Sequence, residues 1–355
     1  MATSGTIGQT TLDVDTIVAH AFRRCGLASG EITAEMGQFA RINLYLALVN
    51  LSNHGVQMWT ISRDVWGTSA NNKQILLPYG TVDVLNANRR ILTRITITGP
   101  TSTAGFASNA FDTDTSTYCD AGINGSIGCT CSTTPVSSVG VMAYGAQALT
   151  PTVEYTTDGS TWQTLYTPPA DPGSTTISLA DGQWAWWEIP QFYTTAVGYR
   201  VRETGGASLS LRELYLGNTP QEVNLARLNR DDYSNLPNKA QLGLPLQFWY
   251  DYQISHQVMN LWPTPDSSFY QIVTYRHRQI QDVGSLTNTV EVPQRWHKAV
   301  VSLTAAACAL EAPGIDMNRI SYLQQAADKD VYEAEQSERD DSPIMIYPSI
   351  GVYTR

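Results

Sequence analysis

Apolar and polar side chains alternate most regularly between Leu246 and Arg278. The apolar face of the first segment is made by Leu246, Phe248, Tyr250, Tyr252 and Ile254. This period of two is typical of a half-buried strand. Residues 258–262 and 269–278 repeat it. Pro263 and Pro265 remove two backbone donors, so we expect a turn over Pro263–Asp266. The pattern predicts a three-stranded antiparallel β-meander.

Four other segments carry apolar residues at every third or fourth position, as on the buried side of an amphipathic helix. The predicted helices cover residues 14–25, 33–53, 293–312 and 317–337. The first begins beside Asp13 and ends at Gly26, which suits the dipole at a helix start and the left-handed turn at a helix end. Short strands are predicted between residues 59 and 85.

The composition changes at residue 94 and changes back after Gly217. Between these points the chain is rich in Gly, Ser, Thr and Pro, with short strands separated by turn signals, which is typical of an all-β sandwich. The predicted fold class is α+β, a helical bundle with a small antiparallel β-meander, interrupted by a jelly-roll sandwich. The predicted domains are 1–94, the insert 95–217, the second half 218–340, and an extended tail 341–355.

The formal net charge is -10, and the insert holds ten of the acidic residues but only three of the basic ones. A protein that binds nucleic acid by neutralising phosphates needs a basic surface, which this composition does not offer. No run of about 18 apolar residues is present, so we expect no membrane partner. The first residues lack the pattern of a secretion signal, which favours use in a cytoplasm.

Catalytic motifs are missing from the sequence: it has no P-loop, no Gly-x-Ser-x-Gly elbow and no His-Glu-x-x-His. Its five histidines fall on separate predicted elements. We therefore expect no enzyme and no cofactor. Cys119, Cys129 and Cys131 could form a disulfide or part of a metal site, although a fourth ligand is lacking. Cys25 and Cys308 are expected to be buried thiols on helices.

One motif resembles a known family. Leu261-Trp262-Pro263-x-Pro265, a strand ending Tyr275-Arg276-x-Arg278, then an acidic residue and a helix are similar to the head-to-tail adaptor proteins of short-tailed bacteriophages, also called head-completion or packaged-DNA-stabilisation proteins. The helix–helix–strand opening of the chain is similar to the same family. The resemblance covers roughly residues 10–95 and 217–340 and omits the middle.

This resemblance implies a structural virion protein at the head–tail junction, assembled in the host cytoplasm. Its copies would form a dodecameric ring under the portal ring, seal the packaged DNA and offer a platform for tail nozzle and tail fibre proteins. Double-stranded DNA would pass through the lumen without specific binding, which an acidic protein permits. The resemblance also implies that the last helix and tail engage the portal or a neighbouring copy. The interface candidates are Val331, Ile344, Met345, Ile346 and Tyr347. The apolar tail can equally pack back on its own domain.

A second resemblance covers the insert. Residues 109–118, 153–162, 199–202 and 209–215 look like the opening loop, the central hairpin and the last two strands of discoidin-like (coagulation factor type C, galactose-binding-like) domains. In that family the opening loop can hold a structural Ca²⁺, which makes Asp112 and Asp114 metal candidates. Here Thr113 stands where many members have Gly, which restricts the backbone. The alternative is that both carboxylates cap a turn.

Trp184 and Trp187 are candidates for contact with a glycan or a partner, because sugars stack on exposed indoles. In a strand, Trp184 and Trp186 face one side and Trp187 the other, so at least one side belongs to the core. Two functions remain: the adaptor ring, and a carbohydrate-binding protein acting through the sandwich. The adaptor explains more of the chain. We expect the insert to hang outside the ring and its deletion to leave ring assembly intact, because insertions at a loop cost little.

Overall fold

A computed structural model of the chain describes residues 12–54, 58–170, 174–190, 193, 195–253 and 257–338. The described part is an α+β structure, which confirms the predicted class. Its α-helices are α1 (Val14–Cys25), α2 (Ala34–His54), α3 (Arg230–Ser234), α4 (Gln294–Glu311) and α5 (Met317–Gln336). The chain divides into two compact units.

The first unit comprises Met1–Ser62, Gly80–Asp83 and His277–Arg355. Four helices form it, and α4 contacts α1, α2 and α5. Trp296, on α4, is fully buried in their shared apolar core together with Phe22 and Leu44. The spacing of apolar residues therefore identified most of the buried side of these helices, but Leu310 and Met317, which follow the same spacing, are 62% and 75% exposed.

Helix α1 shows how local sequence sets an element's bounds. Asp13 Oδ1 accepts a hydrogen bond from the backbone N–H of Thr16 at 3.0 Å, so the side chain caps the helix N-terminus. At the other end Gly26 adopts a left-handed φ of 94°, and its N–H donates back to the carbonyls of Phe22 and Arg23. Both predicted ends are confirmed.

The second unit comprises Arg63–Tyr79 and Val84–Arg276 and contains most of the strands. The strands up to the middle of the chain are β1 (Ile61–Gly67), β2 (Gln74–Leu76), β3 (Thr81–Arg94), β4 (Ile97–Ser102), β5 (Cys119–Ile123), β6 (Ser126–Cys131), β7 (Ser138–Ala143), β8 (Gln147–Leu149), β9 (Pro151–Thr156) and β10 (Gln163–Tyr166). The remaining strands are β11 (Ile177–Leu179), β12 (Trp184–Glu188), β13 (Gly198–Glu203), β14 (Ser208–Asn224), β15 (Ala226–Leu228), β16 (Leu242–Gly243), β17 (Gln247–Asp251), β18 (Val258–Trp262), β19 (Thr264–Pro265) and β20 (Gln271–Arg278).

The predicted all-β sandwich is present. One sheet has the order β10-β9-β13-β6-β4, and the facing sheet contains β5, β14, β7 and β12. Their inward side chains make one apolar core, to which both sheets contribute fully buried residues such as Val153, Val201, Val141 and Leu211. The hairpin from β9 to β10 turns at Asp158-Gly159, where Gly159 has a φ of 77°.

Strand β14 connects the sandwich to the rest of one seven-stranded sheet, whose order is β1-β20-β3-β14-β7-β12 with β5 also paired to β14. Its first part pairs with β5 and β7, and from Gly217 onward it pairs with β3. The register shifts by one residue between Leu211 and Glu213, so Arg212 is the extra residue of a β-bulge. The predicted insert boundary at Gly217 therefore falls inside a continuous strand of 17 residues.

The predicted three-stranded meander is wrong in its third strand. Strands β17 and β18 pair antiparallel as expected, with Tyr250 opposite Met259. However, β18 pairs on its other side with β2, and β20 lies between β1 and β3 in the larger sheet. Alternation reports which side chains are buried but not which strand lies alongside. Within the expected turn, Thr264–Pro265 forms a short parallel pair with β16 instead.

Four charged residues join the sandwich to the strands beside it, and we call them the junction network: Arg63, Arg90, Glu188 and Glu222. Arg90 is only 5% exposed. Its Nη1 donates to Glu188 and its Nη2 donates to Glu222 Oε1 at 2.5 Å. Arg63 Nη1 lies 2.6 Å from Glu188 Oε2 and its Nη2 lies 3.3 Å from Glu222 Oε1. Each carboxylate is thus shared by two guanidinium groups, which offsets the cost of burying the central charge.

Replacing Arg90 by methionine tests this network. Arg90→Met leaves Glu188 and Glu222 close together with only Arg63 to neutralise them. We expect the free energy of unfolding to fall by about 2 kcal/mol, less than for a fully buried pair because both carboxylates are partly exposed. Denaturant unfolding at neutral pH measures this change. A matched control is Arg202→Met, since Arg202 is 47% exposed and lies 3.9 Å from Glu154.

The same network predicts an acid-sensitive step. Burial alone would raise the pKa of Glu188 and of Glu222, but both pKa values are lowered. Hydrogen bonds from Arg63 and Arg90 outweigh burial at Glu188, and hydrogen bonds from Arg90 and Asn88 together with the charges of both arginines do so at Glu222. A lowered folded-state pKa contributes stability that is present above the unfolded value of 4.5 and is lost as the pH falls below it. In Arg90→Met the free energy of unfolding should fall less steeply as the pH is lowered, because the two carboxylates lose the partner that lowers their pKa values. An unchanged acid profile would contradict this assignment.

Candidate functional site

The tryptophans of β12 were predicted to face two sides, and they do. Trp184 and Trp186 stack with ring centroids 4.9 Å apart, on the side away from the sandwich core. Phe269 lies edge-on to Trp184 at 5.6 Å, and Tyr215 lies edge-on to Trp186 at 5.3 Å. Trp187 is 7% exposed and packs inside the sandwich. Its buried position leaves no indole face for a glycan.

Trp186 is also enclosed by two glycines. A Cβ atom at Gly67 would lie 2.5 Å from its indole nitrogen, and one at Gly140 would lie 2.5 Å from its six-membered ring. Only residues without a side chain allow so close an approach. The half-buried pair Trp184 and Trp186 therefore packs the sandwich against β1 and the segment before β20.

The opening loop uses both candidate carboxylates as turn caps. Asp112 Oδ1 accepts from the N–H of Asp114 at 2.8 Å, and Asp112 Oδ2 accepts from Thr117 Oγ1 at 2.9 Å. Asp114 Oδ1 accepts from the N–H and the hydroxyl of Ser116 at 2.9 and 2.7 Å. Thr113 has a φ of 66°, in the left-handed region that a β-branched residue enters only at a cost. The loop thus keeps the backbone shape that glycine would take.

Glu213, which the sequence analysis did not single out, is the most unusual acidic group near this loop. It is 0% exposed, and within the described residues its carboxylate oxygens make no hydrogen bond of normal geometry, although the Asp112 side chain and the Thr113 backbone lie near enough to affect its pKa. The nearest cation is Arg94, with Nη2 at 3.9 Å from Glu213 Oε2. Burial raises the pKa of Glu213 to about 7, Arg94 opposes that rise, and the nearby Asp112 carboxyl adds to it.

Glu213 and Asp112 offer hard oxygen donors, which Ca²⁺ prefers. Both oxygens of Asp112 and one oxygen of Asp114 already accept hydrogen bonds within the loop, so Glu213 is the carboxylate with the most free capacity for a cation. Within the described ranges no group of three His, Cys, Asp or Glu residues is placed to hold a metal ion. A cation here would therefore depend on two carboxylates and on backbone carbonyls. The donor chemistry fits calcium, with Glu213 as its main ligand.

An exposed aromatic surface lies on the sheet of β5, β14, β7 and β12. We call it the tyrosine stack: Tyr118, Tyr144, Arg212 and Asp181. The two tyrosine rings are parallel within 2°, with centroids 3.6 Å apart, and they are 41% and 37% exposed. The guanidinium of Arg212 lies 4.9 Å from the Tyr144 centroid. Arg212 Nη2 lies 3.0 Å from Asp181 Oδ1, which also accepts from the N–H of Gly145 at 2.8 Å.

These four residues come from four separate segments, so no spacing in the sequence connects them. Tyr118 precedes β5, Tyr144 follows β7, Asp181 precedes β12 and Arg212 is the bulged residue of β14. The N–H of Gly145 and the Arg212 guanidinium hold the pKa of Asp181 below its usual range. An ionised acid, a guanidinium and an open aromatic face together suit a polar ring-shaped ligand.

The remaining candidates are not assembled into a site. Val331, on α5, packs partly against the helical core. Ile344, Met345, Ile346 and Tyr347 lie outside the described residues. All five cysteines are free and buried, and burial raises the pKa of Cys129 to about 12, which disfavours the thiolate that a metal needs. None of the described helices has the length and apolarity to cross a membrane.

Replacing Glu213 by glutamine tests the buried carboxylate. A folded-state pKa raised above the unfolded value of 4.5 contributes stability at low pH that is lost as the pH rises through about 7. Glu213→Gln should remove this loss and raise the free energy of unfolding at pH 8 by on the order of 2 kcal/mol. In the wild type, saturating Ca²⁺ at pH 8 should raise the melting temperature, and in Glu213→Gln it should not.

A matched control for the calcium measurement is Asp181→Asn, which removes an acidic residue of the same sandwich outside the loop. A calcium response of equal size in the wild type and in Glu213→Gln would contradict the assignment. Mg²⁺ serves as the competing ion, since it demands a smaller and more regular shell.

Comparisons with known proteins follow this geometry. No protein-family model and no curated protein matches the chain. Among solved structures, chitosan-binding module 1 of a chitosanase/glucanase from Paenibacillus sp. IK-5 is 23% identical and covers 35% of this chain and 96% of its own, with a TM-score of 0.28. A pectin-binding carbohydrate-binding module is 15% identical and covers 36% of this chain and 94% of its own, with a TM-score of 0.29. A family 32 module from C. perfringens in complex with galactose is 14% identical and covers 36% of this chain and 100% of its own, with a TM-score of 0.30. This chain is thus similar, over about a third of its length, to carbohydrate-binding modules.

Proposed function

We propose that this chain is a structural virion protein, one subunit of a head-to-tail adaptor ring that joins a portal to a tail. The observation that carries the proposal is the apolar surface of the helical unit, which no described residue of the same chain covers. The sequence resemblance of residues 10–95 and 217–340 supplies the family, and the surface supplies a reason for self-association.

Helix α2 is apolar on two sides. One side buries Ala40, Leu44 and Leu48 in the helical core. On another side Ile42 is 52% exposed and Leu46 is 54% exposed, with Tyr45 beside them at 38%. A helix that is apolar all round is normally covered all round, so this second side calls for a partner.

Further apolar side chains stand in solvent on the other helices of this unit. Leu310 on α4 is 62% exposed, and Met317, Tyr322 and Tyr332 on α5 are 75%, 70% and 60% exposed. Exposed aromatic and Met side chains of this kind are enriched at protein interfaces. In a ring each subunit contacts the next copy with one surface and the previous copy with a different surface. The two apolar surfaces of the helical unit, one on α2 and one on α4 and α5, fit such heterologous contacts.

The charge is consistent with a structural role. The net charge of -10 gives no basic surface with which to hold DNA. A DNA conduit needs walls that do not bind the duplex, and an acidic lining meets that need.

The ring contact is tested by the double variant Ile42→Ser, Leu46→Ser. We expect the wild type to form a large ring in size-exclusion chromatography with light scattering, and the variant to run as a monomer that keeps its melting temperature within a few degrees. The matched control is Gln38→Ser, an exposed polar position on the same helix. Electron microscopy of protein mixed with its portal should show a second ring for the wild type and for the control. A wild type that stays monomeric in the presence of the portal would overturn the proposal.

A second candidate function is carbohydrate binding by the sandwich, and the tyrosine stack favours it. Aromatic faces pack on the C–H side of a sugar ring, and the ionised Asp181 carboxylate, held by Arg212, supplies acceptors for hydroxyl groups. This function is compatible with the first, because a virion protein can carry a binding module.

Glycan binding is tested with the double variant Tyr118→Ala, Tyr144→Ala. On a glycan array we expect the wild type to retain at least one neutral glycan and the double variant to lose it by tenfold or more, since each lost stacking contact is worth about a tenfold change in affinity. Trp162→Ala is the matched control, because Trp162 lies on the other sheet, 4.2 Å below the Arg200 guanidinium. Equal retention by both variants would exclude the tyrosine stack.

A further inference from the structure

A surface cavity of about 640 Å³ lies in the second unit, outside the sandwich. Two segments line it, residues 227–230 and residues 249–253. The first runs from β15 into α3 and the second from β17 into the loop after it, and the two strands run parallel with Leu228 opposite Trp249. Neither proposed function uses this cavity.

The aromatic part of the wall is rigidly supported. Trp249 is half-buried and stacks on Tyr233 with centroids 4.7 Å apart. The Lys239 ammonium in turn lies 5.8 Å from the Tyr233 centroid. Trp249 lines the cavity, whereas Tyr233 is not among its lining residues. Tyr252, on the same wall, is 65% exposed.

The polar part of the wall is made of groups with planar, paired donors or acceptors. Arg227 Nη2 donates to the Tyr252 hydroxyl at 3.1 Å, which orients the phenol. Asp251 Oδ2 accepts from Gln253 Nε2 at 2.6 Å. Asn229 caps α3 by accepting from the N–H of Asp232 at 2.7 Å. Carboxylate, amide and guanidinium groups of this kind can each bind two neighbouring hydroxyls of a sugar.

Arg230 adds a positive charge that the neighbouring structure does not use. It is exposed, and among the residues the structure describes it has neither a hydrogen bond nor an ion pair. Its neighbour Arg227 brings a second guanidinium to the same wall. The lining thus carries two guanidinium groups against one carboxylate, Asp251, which is a local excess of positive charge in a chain of net charge -10 and favours an anion.

We propose that this cavity binds a saccharide unit that carries a carboxylate, with the sugar ring against Trp249 and the carboxylate at Arg230. An indole face recognises the apolar side of a pyranose ring, and a guanidinium recognises a carboxylate through two parallel hydrogen bonds. Asp251 and Asn229 then face the ring hydroxyls. The volume suits one to two sugar units, within the usual range for small-ligand sites. This proposal is independent of the ring and of the tyrosine stack.

Titration calorimetry of the full chain with three probes tests it: N-acetylneuraminic acid, tri-galacturonic acid and neutral galactose. We expect at least one of the two acidic probes to bind and galactose to bind about tenfold more weakly or not at all. Arg230→Gln should weaken the acidic probe about tenfold, the size of one lost charge-assisted contact. Trp249→Phe should weaken it less than Trp249→Ala, which separates loss of stacking from loss of the fold.

The control variant is Tyr118→Ala, Tyr144→Ala, which should leave the acidic probe's affinity unchanged. Loss of binding in that control would move the acidic site to the tyrosine stack and overturn the proposal. In that control variant, binding of galactose as tightly as the acids would overturn the role of Arg230, and in the wild type no binding of either acid would overturn the proposal as a whole.

Discussion

The junction network is the interaction on which the second unit depends. Arg90 is nearly enclosed, and an enclosed guanidinium without anions would cost several kcal/mol. Glu188 comes from the sandwich and Glu222 from the far part of β14, so the charge is satisfied only when the sandwich and the strands beside it are both in place. Hydrophobic burial in the sandwich supplies most of the stability, but this arrangement sets the register in which that sandwich meets its neighbours.

The tryptophan pair of β12 also holds the sandwich against the strands beside it, through aromatic packing instead of ion pairs. Trp184 and Trp186 meet Tyr215 and Phe269, and Gly67 and Gly140 leave room for one indole. Aromatic residues in a row invite a glycan-binding interpretation, yet here they are used for internal packing. The exposed aromatic surface lies instead at Tyr118 and Tyr144, on the same sheet.

Local patterns in the sequence were enough to predict the helices, the sandwich and the alternation in β17, because each depends on side chains a few positions apart. The helix ends at Asp13 and Gly26 are of that kind. The strands that pair with β20 could not be predicted from local sequence, since pairing depends on strands that are distant in the chain. The tyrosine stack and Glu213 could not be predicted for the same reason. The residues of the stack come from separate segments, and a buried carboxylate is recognisable only from the groups that surround it. Asp112 and Asp114 were found, because a turn cap is a local feature.

Strand β14 has a mechanical consequence. Its 17 residues are hydrogen-bonded first to β7 and then to β3, so one unbroken backbone runs from the sandwich into the other part of the same sheet. A pull on the sandwich along this strand would load both ladders in shear, where many hydrogen bonds resist together, rather than open them one at a time. A flexible loop in place of this strand would extend under the same pull without loading either set of hydrogen bonds. Tension applied to the sandwich along β14 would therefore pass through hydrogen-bonded strands into β3 and the rest of the same sheet.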